Sequence, residues 1–363
     1  MAKKLSADYT LFATTVALVA LGLVMVWSAS SAHAEETHGS AYYFLVKQAL
    51  WCLVGLFALA VAMKTDYRHL RQPALVFGAL GLTTLLLIVV LFLPAVNDTH
   101  RWLRAGALSF QPAELAKLTL ILFLAYHLER RKERVNDKLT SLFPAGVLIG
   151  WFAFLIYIQP DLGTAATLVA VAGVMLFLAG VRLRYFAALA LPAAFLLYRA
   201  VMVAAYRRDR IDAFLNPWSD ARGAGYQIIQ SLIAVGTGGV TGVGLMEGRQ
   251  KLFYLPYPYS DFVFAVIGEE LGLLGAAVVV SLFVVLLWRG IRTAMQAPDM
   301  FGTLLAAGLT LEIVMQAFIN VSVVTGLLPT KGIPLPFISA GGSSLLFTLL
   351  AVGVILNVSQ HGD

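Results

Sequence analysis

The segment PYPYSDF, residues 256–262, closes a polar, arginine-rich stretch of about sixty residues in an otherwise apolar chain. This stretch runs from Arg199 to Asp261, and a long hydrophobic run begins directly after it at Phe262. Membrane segments avoid charge unless the charge has a function, because an unpaired ion in hydrocarbon costs several kcal/mol. The sequence therefore makes Asp261, at the mouth of a membrane helix, a candidate functional residue.

The composition excludes a soluble core and predicts a polytopic membrane protein. Hydrophobic residues make up 60% of the chain and charged residues 13%, which is far outside the range of soluble domains. Runs of about 17 to 25 apolar residues are long enough to cross a bilayer as helices. We therefore predict an all-α fold with about ten transmembrane helices, at residues 10–30, 43–63, 74–94, 112–128, 143–158, 165–181, 185–203, 262–288, 301–323 and 343–358.

The distribution of basic residues predicts the orientation of this bundle. Lys and Arg in short loops stay in the cytoplasm. With both termini in the cytoplasm, the inner segments hold 14 basic residues and the outer segments ten, seven of them in or beside the long loop. Long loops translocate largely regardless of charge. We therefore expect one membrane domain over residues 1–363, with a long extracytoplasmic loop at about 204–261.

The local sequence leaves two interpretations of Asp261 open. It follows two prolines and precedes a long apolar run, so it could occupy the first helical turn, where free N–H groups favour a carboxylate. The alternative is catalysis. Eight residues further on, Glu269 is predicted to lie near the same helix face as Asp261, and both Glu269 and Glu270 would lie inside the span.

Other charges in the apolar runs also have two interpretations. Glu114 and Lys117 are three residues apart, hence neighbours on one helix face, and each makes the other tolerable in a membrane. Lys47 and Glu312 lie singly in their spans, without a partner that the sequence identifies. The outer segments carry cations that are either a solvated surface or an anion site, since guanidinium groups match phosphate oxygens: Arg101, Arg104, Arg207, Arg208, Arg210, Arg249 and Lys251.

Several function classes find no support. The chain lacks a phosphate-binding P-loop, an H-E-x-x-H motif and a Cys/His cluster, which argues against a P-loop ATPase or a zinc hydrolase. The net charge of +6 mostly follows from the positive-inside pattern, so it gives no reason to expect a nucleic-acid partner.

Five segments together resemble the SEDS family (shape, elongation, division and sporulation) of bacterial cell-wall proteins. They are Arg101-Trp102 with FQPAEL at 110–115 and Lys117, QPDLGT at 159–164, GYQIIQS at 225–231, DFVFAVIGEELG at 261–272, and PLPFISAGGSS at 334–344. Residues 328–332 and 248–251 are more similar to the division-type FtsW branch of the family than to the elongation-type RodA branch.

The resemblance implies a peptidoglycan glycosyltransferase in the bacterial cytoplasmic membrane that polymerises lipid II on its outer face. The essential acid of the family corresponds to Asp261, and Arg101, Arg210 and Lys117 are candidates for substrate contact or site support. Glu114, Asp161, Gln227, Ser339 and Ser343 lie in the matching motifs and are further site candidates. The resemblance also implies a class B penicillin-binding protein, a transpeptidase, as partner; a divalent metal (Mg or Mn) is left open, since no ligand cluster predicts one.

The chain departs from the family pattern beside the acid. Where the family often has Glu and His before the aspartate, this chain has Tyr257 and Tyr259, and Ala340 replaces a Tyr in the late Ser-Tyr-Gly-Gly motif. A mechanism that needs the His is therefore not predicted here. Two alternative functions remain: a transporter that flips lipid-linked precursor, and a non-catalytic scaffold for a transpeptidase.

Overall fold

The computed structural model describes residues 6–94, 99–105 and 108–362, so Lys3 and Lys4, used for the predicted orientation, lie outside the described residues. Within these ranges the elements are α1 (Tyr9–His38), α2 (Tyr43–Lys64), α3 (Pro73–Val89), β1 (Leu103–Ala105), β2 (Leu108–Phe110), α4 (Pro112–Arg130), α5 (Phe143–Ile158), α6 (Leu162–Leu178), α7 (Leu183–Met202), α8 (Ala205–Leu215), α9 (Tyr226–Thr237), α10 (Val263–Glu270), α11 (Gly272–Met295), α12 (Met300–Val324) and α13 (Gly342–Ser359). Short helical turns lie at Tyr67–Arg71, Val90–Phe92, Lys132–Arg134, Lys138–Leu142 and Pro217–Asp220.

The predicted all-α membrane class is confirmed. Eight helices in the described part of the chain are long and apolar enough to cross a membrane. The 17-residue α6 and the charge-bearing α4 both pack against α12, and they lie at the positions of two further predicted spans. β1 and β2 pair antiparallel in the segment between α3 and α4.

The prediction of one continuous span at 262–288 is wrong. The helix is interrupted after α10, and α11 begins at Gly272, whose φ is +64°. A Cβ at Gly272 would overlap the backbone of Val240 and Gly242, so the backbone of the long loop passes through this break. α11 alone has 24 residues, about 36 Å at 1.5 Å per residue, which is enough to span the hydrocarbon layer.

α1 extends further than the sequence pattern predicted. It begins at Asp8, whose carboxylate accepts a hydrogen bond from the Leu11 N–H, and it ends at Gly39 with φ +68°. The helix therefore includes most of residues 31–42, which lie between the first two predicted spans. A left-handed glycine after the last turn is a common helix end, because only glycine adopts it without strain.

Two irregular segments pack against the helices of the bundle. Residues 238–262 lie against α10 and α1, and residues 325–341 lie between α12 and α13. A Cβ at Gly22 of α1 would overlap the Phe337 carbonyl, so the second segment makes close backbone contact with α1. Both segments therefore pack back onto the bundle.

Candidate active site

Asp261 lies at the junction of the two irregular segments. Its backbone carbonyl accepts a hydrogen bond from Asn320 Nδ2 of α12 at 2.8 Å. Its carboxylate lies against Gly332, where a Cβ would be 2.7 Å from Oδ2. The residue that caps α10 is Phe262, without a side-chain hydrogen bond, so the capping interpretation of Asp261 is wrong.

Ser339 fixes the backbone next to Asp261. Its buried hydroxyl donates to the Ser260 carbonyl and accepts from the Leu335 N–H at 2.8 Å. Its own carbonyl accepts from Gln48 Nε2 of α2 at 3.1 Å. The Ser339 hydroxyl therefore makes its hydrogen bonds within the protein, and Ser339 supports the backbone beside Asp261.

Arg101 and Asp161 form one unit at the N-terminus of α6. Asp161 Oδ1 accepts from the Thr164 N–H at 3.0 Å and Oδ2 from the Thr164 hydroxyl at 2.9 Å. Arg101 Nη1 lies 3.6 Å from Asp161 Oδ2, and Arg101 Nε donates to the Gln159 carbonyl at 3.0 Å. The guanidinium is thus held in place by the QPDLGT motif.

Lys331, which the sequence did not identify as a candidate site residue, lies next to this unit. Its ammonium lies directly against Gly163, where any Cβ would overlap it. Burial lowers the pKa of Lys331 to about 8, against the attraction of Asp161 and together with the repulsion of Arg101 and Arg210. Residues 328–332 (LPTKG), which include Lys331, served in the sequence only to distinguish the family branches. The lysine in this segment was the available sign of a site residue.

Arg210 of α8 completes this group. Its Nη1 donates to the Thr330 carbonyl at 3.4 Å, and its charge acts on the carboxyl of Asp261. We refer to the five charged residues that meet here as the Asp261 cluster: Asp261, Asp161, Arg101, Arg210 and Lys331.

The surroundings of Asp261 favour the protonated form of its carboxyl more than water does. Burial raises its pKa to about 6, against the hydrogen bond from Ser260 and the charges of Arg210 and Arg101, which lower it; Asp161 raises it. A proton acceptor is most effective when its pKa is near the working pH. The carboxylate is therefore suited to accept a proton from a hydroxyl group.

Lys117 lies in a separate buried network. Its ammonium is 3.0 Å from Glu114 Oε1, 2.9 Å from Glu312 Oε1 and 2.7 Å from Gln316 Oε1. Gln316 Nε2 in turn donates to the Pro334 carbonyl at 2.9 Å. The structure thus supplies the partner of Glu312 and places Glu114 and Lys117 as supports of the 325–341 segment.

We expect Lys117→Met to destabilise the protein by about 3–5 kcal/mol, because it leaves two buried carboxylates without their cation. Thermal unfolding in detergent measures this as a clearly lower Tm. Lys132→Met, at an exposed position after α4, is the control and leaves the Tm unchanged. An unchanged Tm in the Lys117 variant would contradict the assignment.

Two other predicted residues, Ser343 and Gln227, are not members of the Asp261 cluster. Ser343 Oγ accepts from the Gln111 N–H at 3.2 Å, which ties α13 to the FQPAEL motif. Gln227, the second residue of α9, is half-buried and makes no hydrogen bond to Asp261 among the described residues.

Two other expectations need correction. Glu269 is not paired with Asp261: its carboxylate accepts hydrogen bonds from the N–H groups of Arg249 and Gln250. Lys251 is not available to an outer anion, because it is buried against Glu270.

Tyr259, at a position where the family often has another residue, packs on aromatic rings. Its ring stacks on Phe44 at 4.7 Å and on His33 at 5.6 Å between centroids. The Tyr259 carbonyl accepts from the Ala340 N–H at 2.8 Å. Two of the three departures from the family pattern, Tyr259 and Ala340, therefore contact each other.

Among the described residues, no group of three or more His, Cys, Asp or Glu side chains is placed to hold a metal ion. The two acids of the Asp261 cluster stand among three cations. Positive charge for an anionic substrate is thus present in the side chains themselves.

Together, the bundle and the cluster define a polytopic membrane protein with two acids and three cations grouped at one site. The chain matches the FtsW/RodA/SpoVE family of cell cycle proteins over residues 9–363, and it belongs to that family. This confirms the resemblance carried by the five motifs.

Relatives and solved structures agree with the match. The chain is 45% identical to a probable peptidoglycan glycosyltransferase FtsW of Geobacter sp. (strain M18), over 98% of this chain and 97% of the relative. It is 43% identical to the stage V sporulation protein E of Bacillus subtilis, over 99% and 98%. Its fold is similar to a chain from a peptidoglycan synthase complex (32% identity, 98% of each chain, TM-score 0.80) and to Thermus thermophilus RodA (27% identity, 99% of each chain, TM-score 0.72).

Proposed function

We propose that this protein is a peptidoglycan glycosyltransferase that polymerises lipid II, with Asp261 as the general base. The observation that carries the proposal is the buried carboxyl of Asp261, which packs against Gly332 and feels the charges of Arg210 and Arg101. The activity is the one for which its FtsW relatives are named.

The reaction needs one proton transfer and one charge stabilisation. Asp261 takes the proton from the 4-hydroxyl of the acceptor sugar while that oxygen forms a bond to the anomeric carbon of the donor. The bond between that carbon and the lipid diphosphate breaks, and the electron pair leaves with the diphosphate. Arg101, Arg210 and Lys331 stabilise the charge that develops there.

The membrane setting fits a lipid-linked substrate. The protein is a multi-pass membrane protein, and we propose that both termini are cytoplasmic, so that the Asp261 cluster faces outward. The donor and acceptor lipids then reach the site from the outer leaflet, where their sugars are exposed.

We further propose a class B penicillin-binding protein as partner. The structural neighbour with TM-score 0.80 belongs to a complex that coordinates polymerization and crosslinking. A polymerase of this family produces the uncrosslinked strand that a transpeptidase uses.

The proposed activity is tested by incubating purified protein with lipid II, with and without the cognate transpeptidase, and resolving glycan chains on a gel. We expect a ladder of polymer in the presence of the protein. Absence of polymer under both conditions would contradict the proposed function.

The pH dependence of the initial rate is a separate prediction. Asp261 must be deprotonated to accept a proton, so kcat/KM rises as the pH passes through about 6. Lys331 must be protonated to stabilise the diphosphate, so kcat/KM falls as the pH passes through about 8. We expect a bell-shaped profile in the lipid II assay; a rate that is flat from pH 5 to pH 7 would contradict the role of Asp261.

A further inference from the structure

A second buried charge cluster lies at the break between α10 and α11. Lys251 Nζ is 2.6 Å from Glu270 Oε1, and the two side chains are 5% and 0% exposed. Ser28 of α1 donates to both Glu270 oxygens at 2.8 and 2.7 Å, and it also lies 2.9 Å from Lys251 Nζ. We call these three residues the Lys251 cluster.

This cluster closes the loop that contains Asp261. Met246 N–H donates to Glu270 Oε2 at 3.1 Å, and the backbone N–H groups of Val243 and Gly244 donate to the carbonyls of Glu269 and Glu270 at 3.0 and 3.1 Å. Residues 243–270 therefore form a closed loop, with Asp261 inside it and the Lys251 cluster at its base.

The loop backbone packs tightly against Glu269 and Glu270 at the base of the closed loop. A Cβ at Gly248 would lie 2.9 Å from Glu270 Oε1 and 3.0 Å from Glu269 Oε2. Gly242, with φ +82°, lies against the Glu270 carbonyl. The glycines of this stretch thus allow the backbone to approach the two carboxylates.

The cluster also connects the closed loop to α1. Ser28 is on the same helix as Gly22, which contacts the 325–341 segment at Phe337. That second segment carries Gly332, against which the Asp261 carboxylate packs. α1 therefore touches both chain segments that determine where the carboxylate lies relative to Lys331.

We propose that Lys251, Glu270 and Ser28 are positioning residues for Asp261: the buried ion pair and its hydrogen bonds hold the closed loop so that the carboxylate faces the cations of the Asp261 cluster. This inference rests on the proposed function, because it assigns the cluster a part in the same reaction. The side chains of all three residues bond to one another inside the protein, so the proposal gives them no contact with the substrate.

Replacing only one residue of the Lys251–Glu270 ion pair should displace the closed loop. An uncompensated buried charge is strongly destabilising at its site, whereas a neutral pair of similar volume is often tolerated. A displacement of about 1 Å at a reacting group can cost about 10²-fold in rate. The effect should therefore fall on kcat, since the groups that bind the substrate are unchanged.

The experiment compares Lys251→Met, Ser28→Ala and the double variant Lys251→Met/Glu270→Gln in the lipid II assay. We expect Lys251→Met to lower kcat by about 10²-fold with KM nearly unchanged, and Ser28→Ala to lower it less. The double variant should recover most of the loss, because the new amide keeps an acceptor for Ser28 and Met246 and no charge remains unpaired.

The pH profile separates positioning from simple loss of folded protein. A displaced Asp261 changes its distance to Arg210 and Arg101, so the midpoint of the acid limb should shift in Lys251→Met and return in the double variant. A smaller amount of folded protein lowers the amplitude and leaves the midpoint in place. An unshifted midpoint with a loss that matches the folded fraction would overturn the proposal.

The matched control is Arg289→Met, which breaks the 2.7 Å ion pair between Arg289 and Asp8. This pair joins the C-terminal part of α11 to the N-terminus of α1, at the ends of both helices that are far along the chain from the Lys251 cluster. It should leave kcat and the acid limb unchanged. A Lys251→Met variant that is folded and has wild-type kcat, or one that changes only KM, would overturn the positioning role. If the wild-type protein itself made no polymer, the proposed function would fail and the cluster would lose its stated role with it.

Discussion

Asp261→Asn is expected to lower the initial rate of glycan-strand formation by about 10²–10⁴-fold, the contribution typical of a positioned general base. The amide has nearly the same shape as the carboxylate and keeps the space against Gly332 filled. The backbone contacts of residue 261 with Asn320 do not depend on its side chain. The loss should therefore come from chemistry and not from folding, and it is measured by gel resolution of polymer from purified lipid II.

Asp209→Asn is the matched control for this variant. Asp209 is an exposed acid on α8, one residue before Arg210, so its neutralisation changes the loop charge by the same amount. We expect wild-type polymer from it. Undiminished polymer from Asp261→Asn would exclude Asp261 as the base. If wild-type protein made no polymer, and both it and Asp261→Asn moved labelled lipid II across proteoliposomes, the transporter hypothesis would be favoured.

The membrane class and the main site residues could be predicted because their signals are local. Each apolar run stands out in its own window of sequence, and Asp261 is notable through its place at the end of a polar stretch. The family motifs then grouped Arg101, Asp161 and Asp261. The structure places these three residues in one charge cluster, and the assignment of their roles remains a proposal.

The break at Gly272 escaped prediction because both sides of it are apolar. Hydropathy averages over a window and does not respond to a single left-handed glycine. The sequence did hold a hint, since two adjacent acids, Glu269 and Glu270, directly precede the Leu-Gly dipeptide inside a span. A pair of buried carboxylates needs many donors, and here loop N–H groups and Lys251 supply them.

The place of Lys331 in the site could not be predicted from the sequence for a different reason. Its contact with Gly163 joins residues 168 positions apart, and no periodicity in either segment links them. Only the assembled fold shows that a glycine at 163 leaves room for an ammonium group. The same holds for Ser28 and Glu270, which are 242 positions apart.

Lys331→Met is expected to lower kcat by about 10²–10³-fold, the cost typical of removing one preorganised group that stabilises developing charge. Met fills much of the volume of the Lys side chain, so the packing against Gly163 is retained while the charge is lost. The base-side fall of the pH profile near 8 should disappear in the residual activity, because the group assigned to it is gone. Initial rates across pH 6 to 9 in the lipid II assay measure both effects.

Gly163→Ala tests the same contact from the other side. Any Cβ at this position overlaps the Lys331 ammonium, so the cation has to leave its place although its charge remains. We expect kcat to fall in this variant too, with the double variant Gly163→Ala/Lys331→Met no slower than the slower single variant, since both changes remove one interaction. Gly173→Ala, on the same helix with open space around it, is the control and keeps the wild-type rate. Full activity in Gly163→Ala, or losses that simply multiply in the double variant, would show that the placement of Lys331 against α6 does not matter for the reaction.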